Sequence, residues 1–399
     1  MEYQIDAIKS WEKQFGDPLY VFDEKAFIEN YKHYDQCFKS IYPQYRISYS
    51  YKTNYALYIC RLVKQLGGFA EVVSDMELQI AKRVGYHSEE IVYNGPSKGV
   101  LAFDHIQNGG ILNIDNFEEL SGICQYANNN AEKQFKIGVR VNIDIGQNFI
   151  SRFGIDEEEM NRFFDSVKSV PNVSVVGVHC HIGRSRTLEA WKNRVTKILG
   201  IIDKFFVEQP EYVSLGSGMF GIMNLELAEQ FSKDIPSFED YAEVVAKPFV
   251  DRYGKCGGPI LFTEPGTTLI NKYIDFVAKV ESIKHIKGKT FIVLNSSKHN
   301  LGEICELKKL PITVLSNSTQ KETVTNADYV GYTCLEHDVL YREYDGEIGP
   351  GDYVIFENVG GYSNVSKPPF IRPNCAMISS LGNLIKRRET YEEIIETYE

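Results

Sequence analysis

Hydrophobic residues follow two different patterns along the chain. From about residue 45 to residue 266, short apolar runs rich in Val, Ile and Tyr alternate with amphipathic stretches at the spacing of βα units. Eight of these runs have the composition of strands: YRISYSYK, GFAEVVS, IVYNG, ILNID, KIGVRVNI, VVGVHCHIG, YVSLGSG and PILFTEPG. Because helix-like stretches separate them, we predict a closed, parallel (β/α)8 barrel, the TIM-barrel architecture.

Beyond the eighth run the pattern changes to strands joined by turns. Runs such as KTFIVLN, ADYVGYTCL and DYVIFENVGGY follow one another with few helical stretches between them, which predicts a second, mostly antiparallel β domain, a sandwich or a β-barrel. The early run PLYVFD at residues 18–23 is also strand-like, and we assign it to this β domain. The α/β barrel is therefore expected over residues 24–270, inserted between residues 1–23 and 271–399 of the β domain.

Composition excludes several classes of protein. The chain has 399 residues, 43% of them hydrophobic and 24% charged, which is typical of a globular protein large enough for two cores. Its net charge of −11 argues against nucleic acid as a partner, because phosphate backbones are bound by clustered Lys and Arg.

Localisation and redox state are expected to be those of the cytoplasm. The sequence has no apolar run long enough to span a bilayer, and its first residues lack the apolar core of a signal peptide, so we expect no membrane partner. The eight cysteines are scattered without a CxxC pair, which fits a reducing compartment and predicts no metal site.

The C-terminal ends of the eight predicted strands hold the candidates for chemistry, because a barrel brings these ends together at one mouth. The residues at these ends are Lys52, Glu71, Asn94, Asp115, Arg140, His181, Gly216 to Gly218 and Glu264. An amine that bonds to an aldehyde, a glycine turn that approaches a phosphate and an acid that meets a pyridine nitrogen are the parts that hold pyridoxal phosphate. Each residue alone has an ordinary structural explanation, but their joint placement at the tips of different strands does not.

A series of short stretches, matched in order and spacing, carries a family resemblance over nearly the whole chain. The stretches are PLYVFD, SYKTN, EVVSDMEL, VYNGPSKG, NIDNFEEL, VRVN, SRFGI, GVHCHIG, LGSG, EPG, CLEHD and GGY, with KRRETYEEI near the C-terminus. In them the sequence resembles the pyridoxal-phosphate-dependent diaminopimelate and ornithine decarboxylases, which have an alanine-racemase-like barrel, and it looks closest to diaminopimelate decarboxylase-like proteins. The resemblance implies a decarboxylase that removes the α-carboxylate of an amino acid or of an amino-acid derivative.

The resemblance also implies how the cofactor is bound. Lys52 would carry it covalently, His181 would stack on the pyridine face, and Arg140 would support the ring. The remaining cofactor-binding residues would be Gly216, Ser217, Gly218, Glu264, Gly266 and Tyr362, of which Gly216, Gly218 and Tyr362 hold the phosphate.

Two further residues favour decarboxylation over racemisation. A carboxylate at Glu264 keeps the pyridine nitrogen protonated, so that the ring absorbs the electron pair released with CO2, whereas racemases of this fold place an arginine there. Cys334 would return a proton to the α-carbon, although a free cysteine is more often a small buried apolar residue. The resemblance further implies a homodimer in which Cys334 and Asp338 of one chain complete the active site of the other.

Two positions near the expected phosphate site depart from the family pattern. After EPG the family has an arginine that meets the phosphate or the substrate carboxylate, whereas this chain has Thr267. After HIG the family usually has a phosphate-binding serine, whereas this chain has Arg184. We hypothesise that Arg184 restores the charge that Thr267 does not supply, the alternative being a solvated surface arginine.

A third departure concerns the substrate. After Cys334 the family has an acid that binds the distal amine of diaminopimelate, ornithine or lysine. This chain has Leu335 at that position, and Glu336 follows one residue further on. An apolar side chain leaves a distal ammonium unpaired, which is costly in a closed site. We therefore expect an altered pocket and a substrate other than diaminopimelate, including an amino acid attached to a larger molecule or carrier. The candidate substrate-binding residues are Glu336, Asp338 and Arg372.

Two alternatives remain open at this point. One is an amino-acid racemase or epimerase on the same fold, against which Glu264 and the loop around Cys334 speak. The other is a non-catalytic homologue that binds an active relative. The presence of both Lys52 and Cys334 argues against it, while Thr267 and Leu335 keep it open.

Overall fold

The structure of the chain is a computed structural model that describes residues 1–146, 150–231 and 234–398. Its strands are β1 (Leu19–Phe22), β2 (Tyr45–Ser50), β3 (Phe69–Val72), β4 (Ile91–Tyr93), β5 (Ile111–Ile114), β6 (Phe135–Asn142), β7 (Ile155–Asp156), β8 (Val173–His179), β9 (Tyr212–Ser214), β10 (Ile260–Thr263), β11 (Ile274–Ile286), β12 (Lys289–Leu294), β13 (Ile312–Leu315), β14 (Glu322–Val330), β15 (Val339–Ile348), β16 (Tyr353–Phe356), β17 (Ala376–Ser379) and β18 (Leu384–Lys386). Its α-helices are α1 (Ile5–Phe15), α2 (Glu24–Ile41), α3 (Leu57–Gln65), α4 (Asp75–Val84), α5 (Leu101–Gln107), α6 (Phe117–Asn128), α7 (Met160–Lys168), α8 (Leu188–Phe205), α9 (Leu225–Ala228), α10 (Phe238–Tyr253), α11 (Thr267–Ile270), α12 (Ile304–Leu307) and α13 (Tyr391–Ile395). Within the described ranges, every helix is too short or too polar to cross a membrane.

The chain divides into two compact units. The barrel unit comprises Asn30–Phe220 and Lys233–Thr268, and the β unit comprises Met1–Glu29, Gly221–Ser232 and Leu269–Glu399. The division differs from the boundaries expected from the sequence, because the first turns of α2 and the segment around α9 belong to the β unit.

The barrel unit is a closed parallel barrel. Over the described residues, eight strands pair in the order β2, β3, β4, β5, β6, β8, β9 and β10, and β10 returns to pair with β2. The short β7 adds to β6 outside this cycle. These eight strands are the eight apolar runs recognised in the sequence, so the predicted TIM barrel is confirmed.

Close packing in the barrel depends on two glycines that make room for a tyrosine. Tyr212 of β9 donates a hydrogen bond to Asn113 of β5, 2.9 Å away. A Cβ atom at Gly177 would lie 2.0 Å from the Tyr212 ring, and one at Gly138 would lie 2.1 Å from its hydroxyl. Any larger residue at these positions would displace the ring, because packed interiors tolerate little extra volume.

The β unit contains one mostly antiparallel sheet, as predicted. Its strands follow the order β15, β14, β12, β11, β1, β17 and β18, and β16 pairs with both β11 and β13. Among the described pairings of this sheet, β1 with β17 and β12 with β14 are parallel and the others are antiparallel. The early strand-like run forms β1 in the middle of this order.

Helix α1 contributes to the core of the β unit. Ile8 is buried together with Leu19, Val21, Val277 and Ile378 from three strands. Neither α1 nor strands β15, β17 and β18 were expected from the sequence. Strand β15 has the sequence VLYREYDGEI, in which charged residues occupy the exposed positions and leave few apolar residues as a signal.

Candidate active site

Lys52 lies just beyond the C-terminal end of β2. The strand ends at Ser50, and a single turn of 3-10 helix over Tyr51–Thr53 follows it. The Lys52 amine donates to the Glu71 carboxylate of β3 at 2.7 Å, and Ser50 Oγ donates to the same oxygen at 2.6 Å. Glu71 is buried whereas the Lys52 side chain is 32% exposed. The amine is therefore held at one point of the mouth and stays accessible there.

Glu264 follows β10 and is a buried carboxylate with several donors around it. Asn94 Nδ2 donates to it at 2.9 Å, Ser214 Oγ donates at 2.7 Å, and His179 Nε2 lies 3.2 Å away. Burial alone would raise the pKa of Glu264, but His179 and His181 beside it hold the pKa well below its usual value. The carboxylate is therefore ionised at neutral pH, which is the state needed to attract a protonated ring nitrogen.

His181 and the turn after β9 pack against each other. The Ser217 N–H donates to His181 Nδ1 at 3.3 Å, and burial lowers the pKa of His181 to about 4, so the imidazole is neutral at pH 7. Gly216 and Gly218 have φ angles of 67° and 104°, a region that favours glycine. A Cβ atom at Gly216 would lie 2.5 Å from the Cys180 carbonyl oxygen. The backbone of this turn is thus packed so closely that only glycine fits at positions 216 and 218.

Arg140 belongs to a buried network of charges. Its guanidinium donates to Asp115 at 2.8 Å and lies 4.7 Å from the centre of the Phe153 ring. Glu119 accepts the Asp115 N–H at 2.8 Å and pairs with Lys98 at 2.7 Å. Burial lowers the pKa of Lys98 and raises the pKa of Glu119. These contacts fix Arg140 in one orientation at the C-terminal end of β6.

The remaining candidates of the barrel unit are Gly266, Thr267 and Arg184. A Cβ atom at Gly266 would lie 2.0 Å from Thr53 Oγ1, so Gly266 packs against the turn that carries Lys52. Thr267 is the first residue of α11. Arg184 is exposed, and with His181 it lines a cavity of about 460 Å³.

In the β unit, four predicted residues line one cleft. Cys334, Glu336, Asp338 and Arg372 all border a cleft of about 600 Å³. Cys334 and Glu336 are exposed on the connection between β14 and β15. Arg372 lies 4.3 Å from the centre of the Tyr332 ring. Their shared position agrees with a common function, which remains a prediction.

Asp338 differs from the other three because its carboxylate is buried in its own chain. Thr333 Oγ1 donates to it at 2.6 Å, Ser297 Oγ at 3.1 Å and the Lys298 N–H at 2.8 Å. With 2% of its surface exposed, Asp338 holds the Cys334 loop in shape. These contacts favour a supporting role over the substrate contact expected from the sequence.

Tyr362 lies on the surface of the β unit, with 40% of its area exposed. Its φ angle of 56° is unusual for a residue with a side chain, and its carbonyl oxygen would lie 2.8 Å from a Cβ atom at Gly302. The backbone at Tyr362 is therefore tightly constrained. The role of Tyr362 at the phosphate remains a prediction.

Three residues at the mouth were not recognised in the sequence. His179 and Ser214 contact Glu264, and Arg194 of α8 is buried against the Gly-Ser-Gly turn. His179 had a usable signal, since residues two apart on a strand share a face and His181 was already a candidate. Ser214 and Arg194 had none, because their partners are distant in sequence.

One group of potential metal ligands lies on the outer helices of the barrel unit. His33 and Cys37 of α2 and Glu239 of α10 place their donor atoms within 4.8 Å of one another. His33 Nε2 lies 2.8 Å from the Glu239 carboxylate, and the Cys37 thiol donates to the same oxygen at 3.5 Å. These mutual contacts account for the grouping without an ion.

Replacing Glu77 by glutamine is expected to stabilise the protein at alkaline pH. Burial and the nearby Glu71 raise the pKa of Glu77 from 4.5 to about 7. Between these values the native state binds the proton more tightly than the unfolded chain, so stability falls as the pH rises through this window. Glu77→Gln should therefore unfold with a free energy about 1–3 kcal/mol higher than wild type at pH 8, with the gain disappearing below pH 4.5.

Urea unfolding at several pH values measures this difference. Glu118→Gln, which changes an exposed carboxylate in the first turn of α6, is the matched control. Equal pH profiles for Glu77→Gln and Glu118→Gln would contradict the expectation.

Comparison with known protein families shows to which family the chain belongs. Residues 24–271, more than half of the chain, match the model of the pyridoxal-dependent decarboxylases, pyridoxal binding domain. The chain belongs to this family. Membership confirms the resemblance found in the sequence and implies pyridoxal phosphate as the cofactor.

Curated relatives match this family member over nearly its whole length. A diaminopimelate decarboxylase of Methanocaldococcus jannaschii is 29% identical and covers 98% of this chain and 92% of the relative. An L-glutamyl-(BtrI acyl-carrier protein) decarboxylase of Niallia circulans is 25% identical and covers 96% of this chain and 94% of the relative. A crystal structure of the diaminopimelate decarboxylase from M. jannaschii superposes with a TM-score of 0.84 at 26% identity, covering 97% of this chain and 93% of that one.

The side chains of the barrel unit fit the cofactor of the family. An accessible amine at Lys52 suits the aldehyde, and a buried, ionised carboxylate at Glu264 suits the pyridine nitrogen. The turn Gly216–Ser217–Gly218 has no side chain at two of its three positions, so a phosphate can approach its backbone closely.

Proposed function

We propose that the protein is a decarboxylase that removes the α-carboxylate of an amino acid or amino-acid derivative with pyridoxal phosphate as its cofactor. The observation that carries the proposal is the buried, ionised Glu264 among Asn94, Ser214 and two histidines. When bound, the cofactor supplies an electron-accepting ring next to the α-carbon. The ionised Glu264 would keep the ring nitrogen protonated, which would favour loss of CO2 over the racemisation that the same fold supports.

The other candidate residues of the barrel unit would bind and orient the cofactor. Lys52 would hold the cofactor through its amine, which Glu71 orients at the mouth. The neutral imidazole of His181 would offer a flat face to the ring, and Arg140, which Asp115 fixes in place, would support the ring. Gly216, Ser217, Gly218 and Gly266 would hold the phosphate.

Cys334 is the proposed proton donor to the α-carbon, and it acts in a homodimer. Its thiol is exposed on the surface of the β unit, where a second chain can use it. Asp338 keeps the Cys334 loop in shape through Thr333 and Ser297. Location in the cytoplasm is part of the same proposal.

The substrate is proposed to lack a free distal ammonium group. Leu335 occupies the position after Cys334 and is partly buried in the cleft, whereas the acid Glu336 beside it is exposed. A leucine offers no charge to pair with an ammonium group, and leaving that group unpaired disfavours diaminopimelate, lysine and ornithine. An amino acid linked through its side chain to a carrier fits better, because this link leaves the α-carboxylate free and removes the distal charge. The name of the Niallia relative gives a glutamyl group on a carrier protein as the substrate of that protein.

Measurement of CO2 release from a panel of amino acids tests this function. We expect release from a carrier-linked or otherwise neutral amino acid to exceed release from free diaminopimelate by at least about tenfold in kcat/KM. Absence of release from every α-amino acid, by protein shown to bind the cofactor, would reject decarboxylation.

Leu335→Glu is expected to shift the preference towards diaminopimelate and lysine. The new carboxylate would pair with the distal ammonium, raising kcat/KM for these substrates by about ten- to a hundredfold. Leu335→Gln, which has the same size without the charge, is the matched control. An equal gain in both variants would show that shape, and not charge, selects the substrate.

A further inference from the structure

Arg194 is a fully buried cation on the apolar face of α8. Its exposure is 0%, and it shares that face with Trp191, Val195 and Ile198. The spacing of these residues is that of one helix side packed into the interior. Arginine is seldom completely buried unless it is paired, so this position requires an explanation.

The partners of Arg194 are backbone carbonyl groups of the site. Its Nη1 donates to the carbonyl oxygens of Leu215 and Ser217 at 2.8 and 2.7 Å. Its Nη2 donates to Ile182 at 2.8 Å, in the loop that carries His181. Trp191 lies 3.8 Å from the guanidinium and donates its indole N–H to the Gly218 carbonyl at 3.1 Å. Arg194 thus joins the glycine turn to the His181 loop.

The charge of Arg194 has no directly bonded counterion. In the described part of the chain no carboxylate lies within ion-pair distance of it, and its Nε has no hydrogen-bond partner. Glu264 attracts it through space only, and burial lowers the pKa of Arg194 to about 10, so it remains charged at neutral pH. A buried charge whose direct contacts are carbonyl dipoles and the Trp191 ring is expensive, and an anion bound nearby would offset the cost.

We propose that Arg194 supplies the positive charge that stabilises the cofactor phosphate at Gly216–Ser217–Gly218, acting from behind the turn as a positioning residue. This inference rests on the proposed function, because it presumes that the phosphate binds at this turn. It also accounts for Thr267, where the family has an arginine. Arg194 is better placed than the exposed Arg184 because a buried charge is less screened by solvent.

The test compares pyridoxal phosphate with pyridoxal, which has the same aldehyde and no phosphate. Both affinities are measured by titration of the full-length protein freed of cofactor, for wild type, Arg194→Met, Arg194→Gln and Arg194→Lys. The phosphate preference is the ratio of the two affinities. Both uncharged variants should lower this ratio by about ten- to a hundredfold, whereas Arg194→Lys should keep it within about threefold of wild type. Lys192→Gln, which removes an exposed cation of the same helix, is the matched control and should leave the ratio unchanged. Arg184→Gln tests the other candidate for the charge.

The outcomes separate the role of the charge from that of the packing. If Arg194 only supports the fold, the two affinities fall by the same factor and the ratio is unchanged, which overturns the inference. A ratio that falls in Arg184→Gln instead would assign the charge to Arg184. If the uncharged variants do not fold, a large loss of the ratio in Arg194→Lys would still contradict the proposal. Wild type that binds neither compound would reject the proposed function itself.

Discussion

Lys52→Ala is expected to abolish covalent attachment of the cofactor and to lower turnover by more than about a thousandfold. Lys52 is the amine at the mouth of the barrel, held by Glu71 and accessible at 32% exposure. Reduction with borohydride followed by peptide mass spectrometry locates the attachment directly. We expect the label on the peptide that contains Lys52 in wild type and no label in the variant.

The control for this experiment is a lysine of the same unit away from the mouth. Lys64→Ala on α3 removes an ion pair with Glu90 and should keep both label and activity. A label on any other lysine of the wild-type protein would show that the barrel binds the cofactor differently, and the assignment of the site would fail.

The same variant also tests the shared active site. Lys52→Ala and Cys334→Ala should each be inactive alone. In the proposed homodimer, mixing the two variants after dissociation would give mixed dimers in which one of the two sites has both residues. Random pairing then restores about a quarter of the wild-type activity. If the mixture is no more active than the separate variants, Cys334 serves its own chain or has no role in turnover.

Glu264→Gln is expected to lower the rate of decarboxylation by about a hundred- to a thousandfold while the cofactor remains bound. Glutamine keeps the shape and accepts hydrogen bonds from Ser214 and Asn94, but it removes the charge that keeps the ring nitrogen protonated. The measurement is kcat for CO2 release together with the absorbance of the bound cofactor, whose spectrum reports its protonation.

Glu118→Gln provides the control for a change of the same type on the outside of the barrel unit. A Glu264→Gln variant with full turnover would show that the carboxylate is not the electron-directing group. Loss of cofactor without a change in rate per bound cofactor would give Glu264 a binding role only.

The sequence by itself determined the barrel and most residues at its mouth. Alternation of apolar runs and helices is a local property, and the carboxyl ends of parallel barrel strands necessarily face one way. Lys52, Arg140, His181 and Glu264 were therefore predictable once the strands were located. The departures at Thr267 and Leu335 were likewise visible in the chain, since each is the identity of one residue.

Only the tertiary structure decided which groups contact these residues and set their charge states. Ser214 reaches Glu264 across 50 positions of the chain, and Arg194 reaches the carbonyl of Ser217 across 23. The tertiary structure also showed that the Asp338 carboxylate accepts a hydrogen bond from Thr333 of its own loop, and that strand β15 joins the sheet by pairing with β14. Such contacts depend on how separate elements pack, and no local pattern of hydrophobic and polar residues encodes them. Charge state follows from burial and from neighbours, so the ionised Glu264 and the neutral His181 emerge only when the chain is folded.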